Sequence, residues 1–158
     1  MTRVAVTGHR GLSPEVTELV RRELATHVAT FDPTSLVGLT CLADGADTLF
    51  AETVLDHGGR IEVYVPAANY RDALPEEHHA AYDRLLAAAS AVHHGKHHES
   101  TARSHMDAST AMLATADRVL AVWDGNPARG YGGTADVVSH AKKQQLPVTV
   151  IWPSGSHR

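Results

Sequence analysis

The residues of this chain best suited to chemistry are Gly130, Gly132, Gly133 and Thr134, in a stretch that runs from Trp123 to Asp136. A short apolar run, Val119 to Val122, precedes it, and a helical pattern, Val137 to Lys143, follows. Where a strand ends in such a loop and the chain reopens as a helix, an anion site forms. Glycines let backbone N–H groups approach a ligand, and the first amides of the helix lack intrahelical partners. Thr134 is placed to cap that helix or to bind a phosphate oxygen itself. Asp124 ends the strand, where an acid accepts ribose hydroxyls, acts as a base, or forms the turn before Gly125. Asp136, in the first turn of the helix, is a candidate acid or nucleophile, or a partner of the helix dipole. Arg129 adds a cation beside them.

Two more loops of this kind lie earlier. In Gly8-His9-Arg10, the guanidinium of Arg10 can grip phosphate with two hydrogen bonds or form a surface ion pair, and His9 is the loop's second candidate. In Asp44-Gly45-Ala46-Asp47, Asp44 is a candidate ligand contact and Asp47 a ligand contact or a helix cap. The candidate ligand-binding set is therefore Gly8, His9, Arg10, Asp44, Gly45, Asp47, Asp124, Arg129, Gly132, Gly133 and Thr134. Asp124 and Asp136 are the catalytic candidates.

These loops need elements to hold them. Residues 3–8 read as a strand, and Ser13-Pro14-Glu15 starts a helix that runs to about Phe31. Strands follow at 36–40 and 60–66, with a helix between them that ends at Gly58-Gly59. Alternation of Ile61, Val63 and Val65 with Glu62 and Tyr64 predicts an edge position for the third strand. An alanine-rich helix starts near Pro75, and 91–93 is a brief fourth strand. Residues 94–103 read as a mobile loop. A helix over 104–116, the strand at 118–122 and a last strand at 147–152 complete the chain. Strand and helix alternate throughout, so the fold class is α/β. The expected form is a single Rossmann-like domain, residues 1–153, with a parallel sheet of about six strands flanked by helices on both faces and a flexible tail at 154–158. In such a sheet all three loops fall at its carboxyl edge, where open α/β folds bind ligands.

Composition narrows the partners. The 158 residues carry 14 Lys and Arg against 18 Asp and Glu, a net charge of −4, and no basic run, so no nucleic acid partner is expected. The single cysteine, Cys41, suits a reducing compartment. No apolar stretch reaches the roughly 20 residues of a membrane span, and no signal peptide is read; a cytoplasmic protein with no membrane partner is expected. His93, His94, His97, His98 and Glu99 invite a metal reading, but Gly95 interrupts them and no motif places a further ligand, so no metal and no cofactor are expected. Trp123 and Tyr131 flank the glycine loop, where either could stack on a base, Trp123 being the better core residue.

Val6-Thr7-Gly8-His9-Arg10, Ala43-Asp44-Gly45-Ala46-Asp47 and Gly132-Gly133-Thr134-Ala135-Asp136, in that order, resemble the SLOG (SMF/DprA–LOG) superfamily over nearly the whole chain. The resemblance implies a Rossmann-like fold and a site for a nucleotide or nucleotide-derived ligand. Some members, the LOG phosphoribohydrolases, cleave the N-glycosidic bond of nucleoside monophosphates; others sense ligands or bind DNA. The LOG motif has a glutamate three residues after its threonine. Here that position is Val137, and Asp136 falls one helical step of about 100° away. The Arg-Lys pair of those enzymes falls on Ala108 and Ser109. The expectation is therefore a binding or sensing domain, with N-glycoside hydrolysis as the alternative and a homo-oligomer as the expected assembly.

Overall fold

The computed structural model describes all 158 residues. In chain order the elements are β1 (Thr2–Gly8), α1 (Pro14–Val28), β2 (Leu36–Thr40), α2 (Ala46–Asp56), β3 (Arg60–Ala67), α3 (Tyr70–Ala73), α4 (His79–Ala88), β4 (Ala91–His97), α5 (Ala102–Leu113), β5 (Arg118–Val122), α6 (Thr134–Lys143) and β6 (Val148–Ile151). A 3₁₀ turn, Glu76–His78, leads into α4. The six strands are all parallel, in the order β4-β3-β2-β1-β5-β6. The chain steps outward from β1 to β4, then crosses back to lay β5 on the other side of β1. The strand order thus reverses between β1 and β5, and the crevice at their carboxyl ends is open.

Local chemistry explains the elements. Ser13 Oγ accepts the Val16 N–H at 3.2 Å, and Pro14 takes the first helical position, where its missing N–H costs nothing. Val16, Val20, Leu24 and Val28, four apart, form the buried stripe of α1. Phe50, Val54 and Leu85 join that stripe against one face of the sheet, while Met112 and Leu113 of α5 and Val137 and Ala141 of α6 cover the other. Every residue of β2 is buried, as a central strand covered on both faces requires. α5 begins at Ala102, two residues before the reading from sequence, because Thr101 and Ser104 form a reciprocal capping box.

Two expectations are corrected. β3 is an interior strand, paired with both β2 and β4. Its polar residues are tolerated there because neighbours satisfy them. Arg3 binds Glu62 through Nη1–Oε2 at 2.9 Å and Nη2–Oε1 at 3.1 Å, and His93 stacks on Tyr64 with 4.4 Å between centroids. The loop read over 94–103 is in its first part strand, since β4 continues through His97. β4 is the edge of the sheet and mostly exposed, so histidines and Lys96 are compatible with it. Gly95 sits where a Cβ would meet Pro66 O at 2.5 Å, at the irregularity in its pairing with β3.

Candidate ligand-binding site

A cavity of about 460 Å³ opens at the carboxyl ends of β1 and β2. Val6, Thr7 and Gly8 of β1 and Cys41 after β2 form its floor, the 130–134 loop one wall, and Ala102, His105, Ser109 and Met112 of α5 the roof. The spacing of these α5 residues keeps them on one helical face.

Buried His9 ties the first loop to the third. The Asp124 N–H donates to His9 Nε2 at 3.0 Å, and Asp124 Oδ1 stands 3.3 Å from the same nitrogen; the shorter amide contact makes Nε2 the acceptor and puts the proton of the neutral ring on Nδ1. Nδ1 lies 3.4 Å from Thr134 Oγ1, to which it donates, and the threonine's own O–H is left to donate elsewhere. Burial lowers the His9 pKa, with Arg158 acting in the same direction and Asp124 opposing, so the ring is neutral near pH 7. Desolvation works against ionisation of Asp124, but hydrogen bonds from the Asn126 backbone and side chain outweigh it and hold its pKa below the ordinary value.

The first and second loops are joined as closely. Ala46 N–H donates to His9 O at 3.2 Å, and Arg10 binds Asp44 Oδ1 through Nε and Nη2, both at 2.8 Å. Gly8 permits this approach: a Cβ there would meet Ala46 Cβ at 2.5 Å and Val122 Cβ at 2.7 Å. Gly45 has φ +90°, and a Cβ on it would meet His9 O at 2.6 Å.

At the third loop, Gly132 adopts φ +83° and its N–H donates to Asp136 Oδ2 at 2.9 Å. The N–H groups of Asp136 and Val137 close on Gly133 O, whereas those of Thr134 and Ala135 meet no protein acceptor. The start of α6 therefore offers free amides beside the Thr134 hydroxyl, at the positive end of the helix dipole. Arg158 also lines the cavity, its Nη1 3.9 Å from Asp124 Oδ2.

The far end of the cavity is formed by Asp47, Pro66, Tyr70 and His105. Asp47 Oδ2 accepts the Ala43 N–H at 3.2 Å. Desolvation raises the Asp47 pKa to about 7, against the Ala43 N–H and the charge of Arg10, which lower it. Burial lowers the pKa of His105, with Arg10 adding to the effect, and its Nε2 is 2.6 Å from Ser100 Oγ. Leu42, buried and with φ 57°, turns the chain out of β2 toward Asp47; His78 Nε2 donates to Leu42 O at 2.9 Å and holds the turn.

Of the expected ligand residues, Gly8, His9, Arg10, Asp47, Gly132, Gly133 and Thr134 line this one cavity. Asp44, Gly45, Asp124 and Arg129 do not, nor does the catalytic candidate Asp136; Asp44, Asp124 and Asp136 act behind it, on Arg10, on His9 and on the Gly132 amide. Tyr131 is 59% exposed at the cavity mouth, while Trp123 lies outside it, its Nε1–H on Asn126 O at 2.8 Å. Sequence reasoning missed Tyr70, His105, Ser109 and Arg158. The spacing 102, 105, 109 was the one available signal, and nothing local tells which face of that helix meets a cleft. The loop histidines gather no metal set: His93 pairs with Glu62 at 2.9 Å and His97 with Asp107 at 2.7 Å.

No protein-family model and no curated protein matches the sequence. Solved structures do match the fold. DNA processing protein A (DprA) from Streptococcus pneumoniae is 18% identical with a TM-score of 0.71, over 98% of this chain and 52% of that one. DprA from Helicobacter pylori, solved for its single-stranded DNA binding mode, is 19% identical with a TM-score of 0.68, over 98% of this chain and 67% of that one. The molybdenum cofactor (Moco) carrier protein of Chlamydomonas reinhardtii is 18% identical with a TM-score of 0.60, over 95% of this chain and 75% of its own. The chain thus spans about half the length of the S. pneumoniae protein. The likeness is one of fold, and it is the Rossmann-like arrangement that the SLOG resemblance implies. It also corrects the exclusion of nucleic acid, because a protein of this fold binds single-stranded DNA. Net charge is a sum over the whole surface, whereas such binding needs positive potential only along one path, so −4 excludes nothing. No helix is long and apolar enough to cross a membrane.

Proposed function

We propose that this protein captures a phosphorylated small molecule, a nucleotide or nucleotide derivative, in the cleft between β1 and α6, as a binding or sensing domain. The observation that carries the reading is the His9–Thr134 contact. His9, fixed by the Asp124 amide, donates to Thr134 and so leaves its hydroxyl to donate beside two unpartnered amides. Three donors in two adjacent residues at the start of one helix suit a phosphoryl group. Asp124 and Asp136, the two acids considered for hydrolysis, do not line the cavity, which favours capture over cleavage.

The test is a thermal-shift screen with nucleoside mono-, di- and triphosphates, ribose 5-phosphate and inorganic phosphate. A ligand at about 100 times its dissociation constant stabilises the native state by roughly 2.7 kcal/mol, which raises the melting temperature of a domain this size by several degrees. No shift with any phosphate compound overturns the reading. Chromatography of the same mixtures for free base tests the hydrolase alternative.

A second reading lengthens the ligand: a nucleotide at the end of a single strand, favoured by the fold shared with H. pylori DprA. Salt-dependent retention of a labelled single-stranded oligonucleotide, competed by the mononucleotide, would support it.

A further inference from the structure

We propose that the Asp47–Tyr70 end of the cleft is a second subsite, which takes an uncharged nitrogen heterocycle presenting a ring nitrogen as hydrogen-bond acceptor. The inference rests on the anion reading of the opposite end and adds to it what the rest of the ligand is.

Tyr70 lines the cavity and is only 3% exposed, yet its hydroxyl bonds to no protein atom. Its ring is held by edge contacts with Tyr82 at 5.9 Å and His105 at 5.6 Å, so the hydroxyl is fixed rather than free to turn to solvent. Asp47 accepts the Ala43 amide on Oδ2, has the Cys41 amide beside its carboxyl, and lines the same end of the cavity. Thr7, 8% exposed on the floor between the two ends, likewise has an unpartnered hydroxyl. Val6, Met112 and Val137 supply apolar wall. A few fixed polar groups on an apolar wall suit a small heterocycle. A second phosphoryl group does not fit this end, because the one cation close to it, Arg10, is already bound to Asp44.

The groups that face Asp47 are Arg10 and Asp44 from the first two loops, Cys41 after β2, and Tyr70 from α3; His105 of α5 stands across the cavity. Burial outweighs them and leaves the carboxyl half protonated near pH 7. Protonated, the carboxyl donates to a ring nitrogen; ionised, it repels the nitrogen's lone pair. Recognition of the heterocycle is therefore expected to weaken as pH rises through about 7.

The experiment is calorimetric titration of the whole chain between pH 6 and 8.5 with adenosine 5′-monophosphate and with ribose 5-phosphate. The two share the phosphate and its ionisation, so their affinity ratio isolates the heterocycle. The expected ratio is about tenfold or more at pH 6, falling about threefold or more by pH 8.5 as Asp47 ionises. Asp47→Asn, whose amide donates at every pH, is expected to keep the ratio but flatten its pH profile. Tyr70→Phe is expected to lower the ratio about threefold or more, with its melting curve as the control for folding. Equal affinities at pH 6, or a wild-type ratio that does not move with pH, overturns the subsite while leaving the anion site standing. Failure of both compounds to bind overturns the anion reading and this inference with it.

Discussion

The imidazole of His9 accepts the backbone N–H of Asp124 at 3.0 Å, a bond between residues 115 positions apart that fixes the separation of the first and third loops. It also sets the tautomer, and through Nδ1 it sets which way the Thr134 hydroxyl can donate. A ring that is 3% exposed and edge-on to Trp152 at 5.4 Å also fills space. His9→Ala is therefore expected to cost about 2 kcal/mol, or a fall of roughly 4–8 °C in melting temperature, and to weaken phosphate binding. The folded pKa of His9 lies below the unfolded value, so its contribution to stability is full above about pH 6.5 and lost as pH falls below it. Melting curves between pH 7.5 and 5 should fall less steeply for the alanine variant than for the wild type.

Glu62 gives a second pH dependence, lower on the scale. Hydrogen bonds from Arg3, then His93, outweigh desolvation and lower its pKa to about 2. The unfolded carboxyl takes up its proton first, so the contribution, up to about 3 kcal/mol, is present above roughly pH 4.5 and lost as pH falls toward 2. Denaturant titrations at pH 7 and pH 3 should show Glu62→Gln less stable than wild type at both, with the difference reduced by about half at the second.

Gly8 is where β1, α2 and β5 meet. An alanine there would place its Cβ 2.5 Å from Ala46 Cβ and 2.7 Å from Val122 Cβ, both on backbone that cannot swing aside. Gly8→Ala is expected to cost about 1–3 kcal/mol and to push the first loop away from the second. Calorimetric melting reads the first effect and loss of phosphate binding the second.

Asp136 separates bracing from catalysis. Its Oδ2 accepts the Gly132 N–H at 2.9 Å, which an asparagine oxygen can also do and an alanine cannot. If the side chain only braces the loop, Asp136→Asn retains phosphate affinity within about twofold while Asp136→Ala loses it several-fold. A variant pair equally impaired would show that the charge itself is needed.

Arg10 and Asp44 form a partly exposed ion pair, their side chains 45% and 21% accessible. Such pairs contribute about 0–1 kcal/mol, so Asp44→Asn should melt within about 3 °C of wild type. Removing one negative charge and loosening the hold on Arg10 is expected to tighten binding of a phosphate compound about twofold or more, most visibly at low salt.

Period and punctuation in the chain determined much of this protein. Ser13-Pro14 starting α1, the stripe at 16, 20, 24 and 28, the apolar run that opens β2 and the glycine loops are local signals, and each lies where its chemistry placed it. Alternation of strand and helix then left a parallel sheet with the loops at one edge. The second half of β4, from His94 to His97, escaped that reading, because an exposed edge needs no apolar pattern; its partner, β3, supplies the order. Which side chains share the cleft was decided only by tertiary structure. Tyr70, His105 and Arg158 reach it from α3, α5 and the segment after β6, while Asp44, Asp124 and Asp136, adjacent in sequence to its lining, turn to other partners. Secondary structure follows from interactions between residues a few positions apart. The protonation of Asp47 and the free hydroxyl of Tyr70 follow from which surfaces pack together across the whole chain, and no local pattern encodes that packing.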